Sequence, residues 1–115
     1  MNQDHETRLL RIYASSTDTL NGQPFYQAVV IMAKDHGLSG ATVLKGIMGY
    51  GASSKIHSVR LWEITEKLPV VIEIIDNADK IDDFMVNLKP KLNQMPKGCL
   101  VTQEKINVSF YKSGK

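Results

Sequence analysis

The sequence predicts one α+β domain in which two helices pack on one face of an antiparallel sheet. Three observations predict it: segments of alternating apolar residues, two segments with apolar residues at helical spacing, and their order, strand-helix-strand-strand-helix-strand. The chain has 115 residues, of which 43% are hydrophobic and 23% charged, as is typical of a single globular domain. We predict a polar terminus at 1–6, the domain at 7–111 and a tail at 112–115.

The first strand and helix come from the first third of the chain. Thr7–Ala14, TRLLRIYA, alternates with period two and predicts a strand. The loop SSTDTLNGQ follows, and a helix is expected to begin at Pro24, since a proline at the first helical position sacrifices no hydrogen bond. Gly37 is placed to end that helix in the left-handed conformation. The apolar stripe of the helix comprises Phe25, Ala28, Val29, Met32 and Ala33.

The second and third strands flank a segment rich in small residues. Ala41–Met48 predicts the second strand, and Leu68–Asp76, LPVVIEIID, predicts the third because it is dense in β-branched residues. Between them, Val59–Ile64 is an additional short strand candidate.

The last third predicts the second helix and the final strand. Asn77 is suited to cap the helix, whose apolar stripe is Ile81, Phe84, Met85 and Leu88. Leu100–Thr102 and Ile106–Tyr111 predict pieces of the last strand. The complete order β-α-β-β-α-β is that of the ferredoxin-like fold, in which the third strand lies between the first and the second.

Because both helices cover one sheet face, the other face must meet solvent or a partner. We expect Glu73 to lie between Arg11 and Lys45 on this open face as a cross-strand charge cluster. An apolar surface with a matched set of charges predicts association of the chain with a partner. The residues expected on the open face are Leu9, Arg11, Tyr13, Val43, Lys45, Ile47, Val71, Glu73 and Ile75.

Composition excludes several classes of protein. The formal net charge of +2 is too small to predict a nucleic-acid-binding protein. A single cysteine, Cys99, precludes an intrachain disulfide and favours a reducing, cytoplasmic location. The stretch MNQDHETR has no apolar segment of the kind that a secretory signal requires. The longest apolar run is far shorter than the ~20 residues that span a bilayer, so direct membrane insertion is not expected.

The segment GYGASSKIHS, which begins at Gly49, is the most unusual of the chain because it has no large side chain between Tyr50 and Lys55. Two interpretations stay open: a bend that ends the strand, or a backbone that approaches a ligand closely. Together, GATVLKGIMGYGASSKIHS, LPVVIEIID and KGCLVT resemble a family of PII-like proteins known as domain of unknown function 190. The resemblance covers roughly residues 7–111.

This resemblance implies a homotrimer with its sheets packed toward a central axis and small ligands, such as adenine nucleotides, in clefts between subunits. It further implies a T-loop that reshapes on binding and docks to a target, which is a membrane transporter or an enzyme. The expected ligand-binding residues lie in two loops. The T-loop base supplies Gly49, Tyr50, Gly51, Ala52, Ser53 and Ser54, and Lys55 follows it. The loop before the last strand supplies Lys97, Gly98, Cys99, Leu100, Val101 and Thr102.

The chain departs from PII proteins at these two loops. Ala52 and Ser53 stand where an arginine and a glutamine follow the Gly-aromatic-Gly motif, and Lys97-Gly98-Cys99 replaces a Gly-Asp-Gly-Lys run. ATP binding together with 2-oxoglutarate is therefore not carried over, nor is covalent modification of the loop. A smaller or less charged adenine ligand among AMP, ADP and ATP is the hypothesis.

The leading interpretation is a regulatory protein rather than an enzyme, with no catalytic residues, no metal site and no cofactor beyond that ligand. Cys99 has no recognisable base to activate it, and His57 has no second metal-binding side chain at ligand spacing. A trimer similar to CutA, structural or metal-responsive and without a nucleotide, is the first alternative. A small enzyme that uses the same cleft is the second.

Overall fold

A computed structural model describes residues 1, 5–51, 57–58 and 67–114 of the chain. The strand candidate at 59–64 and the predicted site residues at 52–55 lie outside these residues. In chain order the strands and helices are β1 (Thr7–Ser15), β2 (Thr19–Leu20), β3 (Gln23–Pro24), α1 (Phe25–Asp35), β4 (Thr42–Lys45), β5 (Met48–Gly49), β6 (His57–Ser58), β7 (Pro69–Asn77), α2 (Ala78–Gln94) and β8 (Leu100–Ile106).

The main sheet has the predicted topology. Within the described residues, four strands form one sheet in the order β4-β7-β1-β8, and each neighbouring pair is antiparallel. The third major strand, β7, thus lies between the first and the second, which confirms the ferredoxin-like α+β fold. Two small ribbons, β2-β3 and β5-β6, lie outside this sheet.

The hydrophobic core lies between the sheet and the two helices. Leu10 and Ile12 of β1 are opposite Ile74 and Ile72 of β7, and the side chains of all four are buried. The predicted helical stripes supply the other side of this core. Its buried helical residues are Phe25, Val29 and Ala33 of α1, and Ile81, Phe84, Met85 and Leu88 of α2.

The helix ends follow local backbone chemistry. Gly37 has φ +74, its N–H donates to the carbonyl of Lys34 at 3.0 Å, and the N–H of Leu38 donates to the carbonyl of Ala33 at 3.1 Å. These two bonds form the Schellman motif that the glycine predicts. α1 begins at Phe25, one residue later than expected, and Pro24 is its N-cap. Asn77 is the N-cap of α2, as predicted, but its side chain makes no capping bond.

The second major strand is shorter than the Ala41–Met48 segment predicted, because the chain leaves the sheet at Gly46. The N–H of Gly46 donates to the carbonyl of Pro69 at 2.7 Å, and a Cβ on Gly46 would lie 2.8 Å from Cγ of the Pro69 ring. Only a glycine fits this approach without a shift of the proline. Met48 and Gly49 then pair with Ser58 and His57 in a separate ribbon.

The predicted faces of β4 were wrong by one residue. Val43 is opposite Ile72 and packs against the core, while Leu44 is opposite Val71 and is exposed on the open face. A shift of one residue moves every side chain of a strand to the other face, so Lys45 does not join the expected cluster.

The charge cluster of the open face is centred on Arg11 between two carboxylates, and not on Glu73 between two cations as predicted. Arg11 Nε donates to Glu73 Oε2 at 2.9 Å, and Arg11 Nη1 donates to Glu104 Oε1 at 2.8 Å. The hydrogen bond to Glu73 is the main reason why the pKa of Arg11 is raised.

The final strand also differs from its prediction. β8 runs without interruption from Leu100 to Ile106 and includes the polar residues Gln103–Lys105, which pair with β1. Val108 and Phe110 lie beyond the strand, and Phe110 is 78% exposed. In the part of the chain that the structure describes, no helix has the length and apolar character to cross a membrane.

Candidate functional site

A cavity of about 470 Å³ lies where the base of the β5-β6 ribbon meets the loop before β8. Its walls come from four parts of the chain that are distant in sequence. The lining residues are Tyr13, Ala14, Ser15, Asp18, Gly49, Tyr50, Gly51, Lys67, Leu68, Pro69, Val70, Lys97, Gly98, Cys99 and Leu100.

The strand registers explain why these segments meet. Ser15, at the end of β1, is opposite Pro69, at the start of β7, and Tyr13 is opposite Leu100, at the start of β8. The entry to β7, the exit from β1 and the entry to β8 therefore share one edge of the sheet. Since a Cβ on Gly49 would lie 3.2 Å from the Pro69 ring, the ribbon base packs closely against that same edge.

One buried carboxylate is part of the cavity wall. Asp18 is 5% exposed, and its Oδ2 accepts a hydrogen bond from the Ser15 N–H at 2.9 Å. Its backbone is fixed by two further bonds: its N–H donates to the Ser15 carbonyl at 3.1 Å, and its carbonyl accepts from the Phe25 N–H at 2.8 Å. This turn holds the carboxylate in position between β1 and α1.

Two lysines and one thiol also line the cavity. Lys97 is exposed and Lys67 is half-buried, and each carries a positive charge that can attract an anion in the cavity. Burial raises the pKa of the Cys99 thiol, and the charge of Asp18 raises this pKa further. A thiol in this environment is less ionised at neutral pH than a free cysteine, and is a correspondingly weaker nucleophile.

The structure brings together seven of the thirteen site residues expected from the sequence. Val101 and Thr102 do not line the cavity, since Val101 packs against the core and Thr102 is opposite Arg11 on the open face. Ala52, Ser53, Ser54 and Lys55 lie outside the described residues. The seven that line the cavity are Gly49, Tyr50, Gly51, Lys97, Gly98, Cys99 and Leu100.

Sequence reasoning missed the contribution of the loop after β1 and of the entry to β7. Asp18 was assigned only to a turn-rich loop, and Leu68 only to a strand. The turn chemistry around Asp18 was visible in SSTD, but its burial beside Cys99 depends on the register of three strands. No local pattern carries that information.

A second cavity and a metal-binding site have less support as the functional site. A second cavity, of about 440 Å³, lies at the opposite end of β1 around Thr7 and Ile106, and none of the residues expected in the site lines it. In the described ranges, no three His, Cys, Asp or Glu side chains are grouped so that they could hold a metal ion.

Similar proteins support the resemblance read from the sequence. Residues 7–108 match the family DUF190, described as Uncharacterized ACR. A UPF0166 protein of Aquifex aeolicus (strain VF5) is 40% identical over 103 residues, which cover 90% of this chain and 93% of that protein. The UPF0166 protein MJ1524 of Methanocaldococcus jannaschii is 33% identical over 92 residues, which cover 80% of this chain and 81% of that protein.

Solved structures share the fold. One of them is CPII, a nitrogen regulatory PII-like protein from Thiomonas intermedia K12, whose structure holds ADP, AMP and bicarbonate. It aligns with a TM-score of 0.63 and 11% identity, over 90% of this chain and 91% of that chain. A protein of Thermus thermophilus described as PII-like signaling aligns with a TM-score of 0.59 and 15% identity, again over 90% and 91%. At such identities the similarity establishes the fold alone.

Proposed function

Since the chain belongs to the DUF190 family and has the fold of PII-like proteins, we propose that it is a regulatory protein that binds an adenine nucleotide. The binding site is the cavity of about 470 Å³ between the ribbon base and the loop before β8. Occupancy of this site is transmitted to a protein partner through the segment 50–67.

One observation carries the proposal. Two segments that are almost fifty residues apart in sequence, 49–51 and 97–100, were both expected in the site before the structure was considered, and both line the same cavity. Its volume lies in the range of about 300–1,000 Å³ that is usual for small-molecule sites.

The chemistry of the walls suits a nucleotide. Tyr13, Tyr50 and Leu68 offer aromatic and aliphatic surface for a base, while Lys67 and Lys97 offer charge for a phosphate. The CPII structure, which holds ADP and AMP, supports this class of ligand by analogy of fold.

The open sheet face supports a homotrimer. Tyr13, Leu44 and Leu100 are 38%, 50% and 58% exposed on this face, and Tyr13 and Leu100 also line the cavity. A second subunit packed on the open face would therefore also wall the cavity, which would become a cleft between subunits. A ligand in such a cleft shifts the conformation of the ribbon by its difference in affinity for the two states.

The partner of this proposed sensor is a membrane transporter or an enzyme, by analogy with PII-like proteins. We assign no catalytic step to the chain itself. The cysteine in the cavity is the one nucleophile candidate that the sequence raised, and burial works against its ionisation.

The first test is thermal melting of the protein with AMP, ADP and ATP, combined with light scattering to measure the oligomer mass. A ligand that binds only the folded state stabilises it by about 2.7 kcal/mol at a hundred times its Kd. We expect a trimer whose Tm rises with the concentration of at least one nucleotide.

Two glycine variants locate the site. A Cβ on Gly51 or on Gly40 meets nothing within 4 Å, but only Gly51 lines the cavity. We expect Gly51→Val to remove the nucleotide-dependent rise in Tm and Gly40→Val to retain it, with both variants folded. A trimer with no shift for any nucleotide would contradict the ligand assignment, and a monomer would contradict the inter-subunit cleft.

A further inference from the structure

Asp18 is the one anionic side chain among the described residues that line the cavity, and it is almost completely buried, with 5% of its surface exposed. Its Oδ2 accepts one hydrogen bond, from the Ser15 N–H. Among the described residues, none donates a hydrogen bond to Oδ1. A buried carboxylate oxygen without a donor costs free energy, which a ligand that donates to it would recover.

The charge of Asp18 determines which part of a nucleotide it meets. A carboxylate accepts hydrogen bonds and repels phosphate, so the phosphate end belongs with the lysines. Lys97 is exposed, whereas Leu68 and Val70 beside the cavity are 3% and 2% exposed. The loop that holds Asp18 is bonded to the buried Leu68, since the Ser16 N–H donates to the Leu68 carbonyl at 2.8 Å. Asp18 therefore lies beside an aliphatic wall residue, which suits a flat base more than a hydroxylated sugar.

We propose that Asp18 is the specificity-determining residue of this cavity, and that its carboxylate accepts a hydrogen bond from the 6-amino group of adenine. A 6-oxo purine presents an acceptor at the same position and is rejected, because two acceptors face each other without a proton between them. This inference rests on the proposed nucleotide site.

The test compares ADP with inosine diphosphate, in which an oxo group replaces the 6-amino group. Binding of each to the whole chain is measured by calorimetry. Since a hydrogen bond to a charged group contributes at least about tenfold in affinity, we expect wild type to bind inosine diphosphate at least about tenfold more weakly than ADP.

Asp18→Asn tests the residue itself. The asparagine retains an oxygen that accepts from the Ser15 N–H, and its amide N–H₂ can donate to a 6-oxo group. We expect the ratio of the two Kd values to fall toward one in this variant. Asp35→Asn, which removes the same charge at the exposed end of α1, is the matched control and should leave the ratio unchanged.

Three results would overturn the inference. Equal affinity of wild type for ADP and inosine diphosphate would refute it while leaving nucleotide binding intact. An equal loss of affinity for both ligands in Asp18→Asn would show that Asp18 only organises its turn. A selective loss for 2′-deoxy-ADP in wild type that Asp18→Asn removes would place the ribose, not the base, at Asp18.

Two further results are absence of nucleotide binding and failure of Asp18→Asn to fold. If ADP and inosine diphosphate both fail to bind, and AMP and ATP also leave the Tm unchanged, the proposed nucleotide site is refuted, and this inference with it. If Asp18→Asn does not fold, Asp18→Ser, whose hydroxyl also accepts a hydrogen bond, replaces it and should likewise bring the two Kd values closer together.

Discussion

Gly46 should be intolerant of a side chain for a purely structural reason. In Gly46→Ala the new Cβ lies 2.8 Å from Cγ of Pro69 and 3.4 Å from its carbonyl oxygen. Two carbon atoms in contact prefer about 3.5–4.0 Å, so the alanine is about 0.7 Å too close to a ring that has little freedom to move.

The expected magnitude follows from two opposing terms. Overpacking of this kind destabilises by about 1–3 kcal/mol. A glycine-to-alanine change stabilises by about 0.4–1 kcal/mol where the native backbone permits it, because the unfolded chain becomes less flexible. We therefore expect Gly46→Ala to lower the free energy of unfolding by up to about 2.6 kcal/mol, and by about 1.3 kcal/mol at the middle values of both terms.

Gly49 and Gly40 serve as comparison sites for the Gly46 variant. A Cβ on Gly49 would lie 3.2 Å from the same proline carbon, while a Cβ on Gly40 meets nothing within 4 Å. The predicted order of stability is Gly40→Ala above Gly49→Ala above Gly46→Ala. Urea denaturation followed by circular dichroism, at one protomer concentration, measures the series.

The double variant Gly46→Ala/Pro69→Ala separates the clash from other effects. Removal of the ring should recover part of the loss, giving a coupling free energy of about 1 kcal/mol in a double-mutant cycle. If Gly46→Ala is as stable as Gly40→Ala, or if the cycle shows no coupling, the explanation of Gly46 by packing against Pro69 is refuted.

Two further predictions concern the core and the cavity. Leu88 is fully buried, whereas Val86 on the same helix is 72% exposed. In the same urea assay, Leu88→Ala should lower the free energy of unfolding by about 2–5 kcal/mol and Val86→Ala by less than about 0.5 kcal/mol. Equal losses would contradict the assignment of the core. Because the pKa of Cys99 is raised, its thiol in the folded protein should react with iodoacetamide more slowly at pH 7.5 than in the urea-unfolded chain. The reaction rate of the folded protein should continue to rise at pH values where a free thiol has already ionised. Equal rates in the folded and unfolded chain would show that burial does not suppress the thiolate.

The sequence was sufficient for the six main strands and helices and their order. Strand β7 is a run of β-branched residues, and the stripe of Ile81, Phe84 and Leu88 has the period of a helix packed on one side. Gly37 marked the end of α1 because a left-handed residue there is a local backbone requirement. These signals are local, and the fold class follows from their succession.

The cavity was only partly predictable. Residues 49–51 and 97–100 were found through resemblance to a family, and the strand registers then brought them together. Asp18 was not found, because a carboxylate in a turn-rich loop is usually solvated, and its burial is a property of the assembled sheet edge.

By itself the sequence determined the order of the six main strands and helices, which helical faces are buried, and that the chain is an α+β domain with one open sheet face. Only the tertiary structure decided the register of β4 on β7, which places Val43 inside and Leu44 outside, and the choice of Glu104 as a partner of Arg11. The physical reason is that the alternation of apolar and polar residues indicates which residues of a strand share one sheet face. Pairing with a neighbouring strand then decides whether that face is the core face or the open face.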